Sequence, residues 1–358
     1  MKILVLVDSP GTADMIRPVW PLLSRHSDCR LVAAHQSAAK ILIQCQPTYC
    51  VDLITAQTIY ENIKPDLIVT GVSSLSKEPN VINELTKRAV ISGRPTIALQ
   101  DYWGNHRSPH NRPMLAYWQK ILVPDAWARD YLLIDNYQGK VVIVGQPGWE
   151  RCLTVNLVQE RSKFRAAAGL NSDNFTLLWP GSAAPNFEET DESSFRFLLE
   201  TLTLIKPTPS LIARPHPRDE DLSRYERLAQ EFNIILRQPP PALATDELLP
   251  IADVVIATYS TSLVHAALMQ IPAVSLMLPE AGLKKMQTIN LSDFPLNQIA
   301  AAIGVYENNV NFLAEVLIKL RDETAYRQAL AIKQKVFIDS LPHHAAENIT
   351  REILNFEK

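Results

Sequence analysis

The segment ADVVIATYSTSLVHAALMQIPAVSL, residues 252–276, carries three kinds of pattern in immediate succession. Asp253 to Ala257 is a short apolar run rich in β-branched residues, as expected of a strand buried on both faces. Thr258-Tyr259-Ser260-Thr261-Ser262 supplies hydroxyls and helix N-cap residues. Leu263 to Gln270 has helical character, and Ile271 to Leu276 opens a second strand. Strand, hydroxyl-rich turn, helix and strand make a βαβ unit. Such a unit presents backbone N–H groups and Ser/Thr hydroxyls where its helix begins, a setting that suits a phosphate. A plain helix cap in any α/β domain accounts for the same residues.

Working outward towards the N-terminus, the same rhythm recurs. Phe175 to Trp179 reads as a strand that runs into Pro180-Gly181-Ser182, where a flexible Gly and a hydroxyl allow a close phosphate contact. The acidic residues Glu188, Glu189, Asp191 and Glu192 then precede a helix from Ser193 to Ile205 and are expected to face solvent at its start. Ser210 to Ala213 is a further strand, ending at Arg214-Pro215-His216-Pro217-Arg218. Two Arg around a His at a strand end make an anion clamp, since Arg binds oxyanions bidentately. The competing reading pairs the arginines with Asp219, Glu220 or Asp221.

The first half alternates in the same way. Lys2 to Val7 is a buried strand by pattern, Asp8 to Asp14 its turn, and Met15 to Arg25 the first helix. Loops after strands of a parallel sheet line the ligand crevice, which makes Gly11, Thr12 and Asp14 candidates. Asp14 is either a general base or a carboxylate complementing the helix dipole. Further strands fall at 30–35, 66–71, 96–99, 120–125 and 141–145, with helices between them. Past one strand end lies the unusual segment QDYWGNHRSPHNRP, residues 100–113. Its aromatic and polar groups suit stacking on a sugar, and Asp101 or His106 could transfer a proton. A Pro-bounded loop packed on its own domain is the alternative. His106 and His110 lack a carboxylate at fixed helical spacing, so no metal site is expected. Trp149 to Ala168 reads as a linker helix.

Composition bounds these readings. At 358 residues the chain is long for one core, and 47% hydrophobic with 20% charged residues is ordinary for a globular protein. A net charge of −3 argues against a dedicated nucleic-acid binder. The four Cys form no C-x-x-C pair and no leader is evident, so a reduced cytoplasmic setting is expected. No apolar run reaches the roughly 18 residues that span a bilayer. The absence of G-x-G-x-x-G counts against a nicotinamide or flavin enzyme.

Taken together, Arg214-x-His216-Pro217, then Ala252 to Ile256, Ser260-Thr261-Ser262, Ala266-Ala267-Leu268 and Pro272 resemble the C-terminal domain of GT-B-fold glycosyltransferases. The likeness is to the lipid-A-disaccharide synthase, capsule-polysaccharide and non-hydrolysing UDP-sugar epimerase branches. In the first half, Ser9-Pro10-Gly11-Thr12 is similar to the family's opening loop, and Val144-Gly145-Gln146-Pro147 to its V-x-G-x-P. The resemblance implies an α/β chain of two Rossmann-like domains facing across a cleft. Their expected extents are 1–150 on the acceptor side and 151–340 on the nucleotide-sugar side, with a helix at 341–358 returning to the first domain.

The resemblance further implies that a nucleotide diphosphate sits on Ser260, Thr261 and Ser262, with Gly181 and Ser182 opposite and Arg214 and His216 flanking it. The acceptor would lie by Gly11 to Asp14 and Asp101 to His106, with Asp14, Asp101 or His106 as base. No cofactor or metal is implied beyond the nucleotide-sugar co-substrate. The implied partners are that donor and a glycan, lipid-linked or small-molecule acceptor in polysaccharide biosynthesis, with a peripheral membrane contact compatible. One departure stands out: His265 occupies the place of the family's ribose-holding Glu, so an imidazole replaces a paired acceptor. The readings are therefore a glycosyltransferase, a UDP-sugar epimerase, or a catalytically silent GT-B-like binding protein.

Overall fold

Strand β1 (Lys2–Val7) shows why this chain builds layered sheets. Ile3, Val5 and Val7 join one apolar cluster while Leu4 and Leu6 join another, and all five are fully buried. A strand with two apolar faces needs helices on both sides. The computed structural model describes residues 1–50, 52–72, 80–170, 174–181, 191–214, 223–237 and 245–356. These form two compact units, residues 1–151 with 341–358, and residues 152–340.

The first unit contains β1, α1 (Pro10–His26), β2 (Asp28–Ala33), α2 (Gln36–Ile41), β3 (Thr48–Tyr49), α3 (Leu53–Ile63), β4 (Leu67–Gly71) and α4 (Val81–Ile91). It continues with β5 (Thr96–Leu99), β6 (Lys120–Val123), α5 (Ala126–Ile134), β7 (Lys140–Ile143) and α6 (Pro147–Leu153). Its sheet is parallel, in the order β3-β2-β1-β4-β5-β6-β7. Helix α1 starts at Pro10, earlier than the expected Met15, because Ser9 caps it and Pro10 takes the first turn. The expected linker helix is two helices, since Asn156 caps a new one at Leu157.

The second unit contains α7 (Leu157–Ala167), β8 (Thr176–Pro180), α8 (Glu192–Thr203), β9 (Ser210–Arg214), α9 (Ser223–Glu231), β10 (Leu236–Arg237) and α10 (Thr245–Leu248). Then come β11 (Val254–Ala257), α11 (Thr261–Leu268), β12 (Ala273–Leu276), α12 (Lys284–Thr288), α13 (Pro295–Gln298), β13 (Ile303–Val305), α14 (Val310–Asp322) and α15 (Thr324–Asp339). The strand order is β10-β9-β8-β11-β12-β13, again parallel. Each unit is thus built on its own doubly wound parallel sheet, which makes the chain an α/β protein of two units.

The last helix, α16 (Ala345–Leu354), belongs to the first unit, where it packs on α1. Gly145 explains how it fits: its φ is +89°, and a Cβ there would lie 2.8 Å from that of Ala345. Glu150 accepts the Ala345 N–H at 3.1 Å, satisfying an otherwise orphaned helix donor. The Nζ of the buried Lys120 reaches Glu352 at 3.1 Å and the Phe356 ring at 4.8 Å.

Candidate functional site

In a doubly wound sheet the ligand crevice opens at the carboxyl ends of strands, where the strand order reverses. In the second unit that point lies between β8 and β11. Ser260 caps α11 there in extended conformation (φ −147°, ψ 142°), its Oγ accepting the Ser262 N–H at 3.2 Å. Six of the eight α11 residues are buried; only Thr261 is exposed and His265 half-buried. Those two stand four residues apart and so share one open face.

Gly181 follows β8 and donates its N–H to the Arg214 carbonyl at 2.8 Å, across the Pro180–Arg214 register. A Cβ on Gly181 would fall 2.0 Å from Tyr225 Oη, so the turn admits glycine alone without rearrangement. That hydroxyl donates to Asp191 Oδ2 at 3.0 Å, and Trp179 Nε1 approaches the same oxygen at 3.4 Å. Asp191 is thus buried and holds the turn from within, a correction to the expectation that it faces solvent. Arg214, Gly181 and Ser260 therefore end three neighbouring strands, β9, β8 and β11, with about 4.8 Å between adjacent strands. Ser182, His216, Glu188, Glu189, Pro215, Pro217 and residues 218–221 lie outside the described residues.

The structure adds a cation that the sequence reading passed over. Lys285 of α12 lies 5.9 Å from the Tyr259 ring, which meets Phe294 edge-on at 5.8 Å. The signal was the Lys284-Lys285 pair following a strand end.

In the first unit the equivalent reversal lies between β1 and β4. Ser9 Oγ accepts the Thr12 N–H at 3.2 Å and donates to Thr12 Oγ1 at 3.0 Å. Gly11 and Gly71 are required by crowding: a Cβ would fall 1.7 Å from Asp101 Oδ2 at the first and 2.7 Å from Thr12 Oγ1 at the second. Gly11, Thr12, Gly71 and Asp101 therefore converge. Burial pushes the Asp101 carboxyl up to about 6, against the pull of its own backbone N–H and of Asn105 Nδ2, which donates at 2.8 Å.

The other two candidate bases have different surroundings. Asp14 accepts from Arg17 at 2.8 Å and from Arg151 at 2.9 Å, so its carboxylate is already engaged by two guanidinium groups. His106 is fully buried, with Nδ1 2.9 Å from Gln100 and Nε2 2.9 Å from Asp135. Burial pulls its imidazole down to about 4, against the neighbouring Asp135, so it is a neutral ring. Neutral His106 donates from Nε2 to Asp135, and its Nδ1 faces the Gln100 amide oxygen, Oε1. Burial would raise Asp135, but hydrogen bonds from Arg107 and His106 outweigh it and hold the carboxyl below its ordinary range. His106 is closed to a substrate, and its job is to fix the 100–113 segment.

The aromatics of that segment are core as well. Tyr102 and Trp103 are buried, and Trp103 donates Nε1–H to Asp125 at 2.7 Å and packs against Trp127 and Trp149. They do not form an open stacking platform. Among the described residues, no group of three or more His, Cys, Asp or Glu is placed to hold a metal, and no helix is long and apolar enough to cross a membrane.

No protein-family model matches the sequence, and no curated protein matches it significantly. Solved structures do. The UDP-GlcNAc 2-epimerase from Neisseria meningitidis, bound to UDP-GlcNAc, superposes with a TM-score of 0.67 at 13% identity, over 95% of this chain and 99% of that one. A putative UDP-N-acetylglucosamine 2-epimerase from Listeria monocytogenes gives 0.70 at 13%, over 100% and 97%. MurG from Acinetobacter baumannii gives 0.59 at 13%, over 99% of both chains.

Proposed function

We propose that this GT-B-fold chain is a nucleotide-sugar-dependent enzyme, and that it transfers the sugar to an acceptor. The observation that carries the reading is the alignment of Arg214, Gly181 and the Ser260–Ser262 cap at the ends of three adjacent strands. A diphosphate would take the N–H groups and dipole at the start of α11, the hydroxyls of Ser260 and Thr261, and the Arg214 charge. Ser182 and His216 belong to the same proposal by sequence position. His265, on the open face with Thr261, is assigned to a ribose hydroxyl. A uridine diphosphate sugar is the first donor to try, because the similar structures include one bound to UDP-GlcNAc.

The acceptor is assigned to the first unit, around Gly11, Thr12 and Asp101. Of the three candidate bases only Asp101 has a raised pKa, and its carboxylate is held by Asn105 and not by an arginine, so it is the one proposed to deprotonate the acceptor hydroxyl. The developing charge on the leaving diphosphate would be stabilised by the α11 N-terminus and Arg214.

A second reading, a UDP-sugar 2-epimerase, is supported by the full-length likeness to proteins of that name. One panel separates the readings. Thermal shifts with UDP-, GDP-, CDP- and CMP-sugars reveal the donor, because a ligand held at ~100 times its Kd adds about 2.7 kcal/mol to the native state. Acceptor-dependent release of nucleoside diphosphate is expected. Sugar interconversion without acceptor would replace transfer by epimerisation, and no shift with any donor would leave a catalytically silent binding protein.

A further inference from the structure

The second unit has a cavity of about 600 Å³ at the edge of its sheet away from the Ser260 turn. Phe175, Asp253 and Pro272, which line it, precede β8, β11 and β12. In a parallel sheet all strand starts share one edge, whereas Gly181 and Ser260 follow strand ends. Strands of four or five residues set the edges roughly 13–17 Å apart, at about 3.3 Å per residue. The hollow is therefore separate from the proposed nucleotide site. Its size falls in the range that encloses a small organic molecule.

The walls are cationic and apolar together. Arg161 of α7, Arg321 of α14 and Arg327 of α15 contribute three guanidinium groups, against one carboxylate, Asp253. That carboxylate is already neutralised: it accepts from Arg161 at 3.1 Å, from Arg165 at 2.6 Å and from the Thr176 N–H at 2.8 Å. Arg321 is engaged by Asp322. Arg161 gives three N–H groups to Pro250, Ala252 and Asp253. Arg327 gives three to Leu320, Arg321 and Thr324. A guanidinium has five N–H groups, so each of these two retains two uncommitted donors. Phe175, Ile271 and Ala331 add apolar surface beside them.

We propose that this cavity is a second ligand site, taking a small organic anion whose carboxylate or phosphoryl group is gripped by Arg161 and Arg327 while its apolar body rests on Phe175, Ile271 and Ala331. Such a ligand would tie α7 to α15. These are the helices next in sequence to both points where the chain passes between its units, near Cys152 and Ser340.

The test is calorimetric titration of the full chain with phenyl phosphate and with benzoate, using inorganic phosphate and benzyl alcohol as the charge-only and ring-only controls. At least one of the first pair should bind about tenfold more tightly than either control, and their ranking tells a phosphoryl from a carboxylate ligand. Ala331→Phe fills the hollow from a half-buried helix position and should weaken that binding by ~tenfold or more, as should Arg327→Met. Ser260→Ala should leave it within about twofold, because that hydroxyl is at the other edge. Absence of binding at millimolar concentration, equal binding of a control, or loss in Ser260→Ala with retention in Ala331→Phe would each overturn the proposal. None of these outcomes depends on whether a nucleotide sugar binds.

Discussion

Asp101→Asn removes a charge from a position where the fold makes ionisation costly, and its effect has a definite pH signature. The Asp101 carboxyl titrates at about 6 in the folded protein and near an ordinary 3.8 when unfolded. Between those values the folded state binds more protons, so stability falls as pH rises through the window and the penalty is complete above it. At about 1.36 kcal/mol per pH unit, the span from 3.8 to about 6 amounts to ~3 kcal/mol at neutral pH. Asn keeps the carbonyl that accepts the Asn105 amide bond. Its NH2 group must sit where Oδ2 crowds Gly11, which returns about 1 kcal/mol. The variant should therefore be more stable than wild type by ~2 kcal/mol at neutral pH, with the advantage gone near pH 4. Urea unfolding followed by Trp fluorescence reads the relevant unit, since Trp20, Trp103, Trp118, Trp127 and Trp149 lie in it and only Trp179 in the other. Asp125, which burial also pushes up to about 6, is common to both proteins and cancels. A difference that stays constant with pH, or grows towards acid, would refute the assignment. Activity should move the opposite way, falling ~10²–10⁴-fold if Asp101 is the base.

Three further outcomes follow from the same contacts. Arg214→Ala should weaken nucleotide binding by ~1.5–3 kcal/mol, measured by calorimetry, while an unchanged affinity removes Arg214 from the phosphate site. Gly11→Ala should cost ~1–3 kcal/mol through its overlap with the Asp101 carboxylate. In an Asp101→Ala background that cost should largely vanish, and a double-mutant cycle in urea shows whether the two positions are coupled. Asp253→Ala leaves the buried Arg165 without its carboxylate and should destabilise the second unit by about 3 kcal/mol, seen as a lowered circular-dichroism melt; an unchanged melt would mean that Arg161, Arg165 and Thr176 do not depend on it.

Sequence alone determined the elements around residue 260. Strand, cap, helix and strand in 252–276 match β11, α11 and β12 to within two residues at each end, because apolar runs, N-cap hydroxyls and Pro272 act on immediate neighbours in the chain. The alternation of such units was enough to imply two parallel sheets, whereas that the Gly145 turn receives the final helix came only from the structure. The same local reading could not rank Asp14, Asp101 and His106, three titratable residues in similar positions past strand ends. Tertiary structure separated them through partners brought from afar: Arg151 to Asp14, Asp135 to His106, and the Gly11 backbone to Asp101. It also drew Lys285 to Tyr259 and assembled the Arg161–Arg327 hollow from helices at opposite ends of the second unit. The physical reason is range. Backbone conformation follows from sterics and periodicity over a few residues, whereas a group's charge state and access to a ligand depend on desolvation and on contacts that exist only once distant segments have packed.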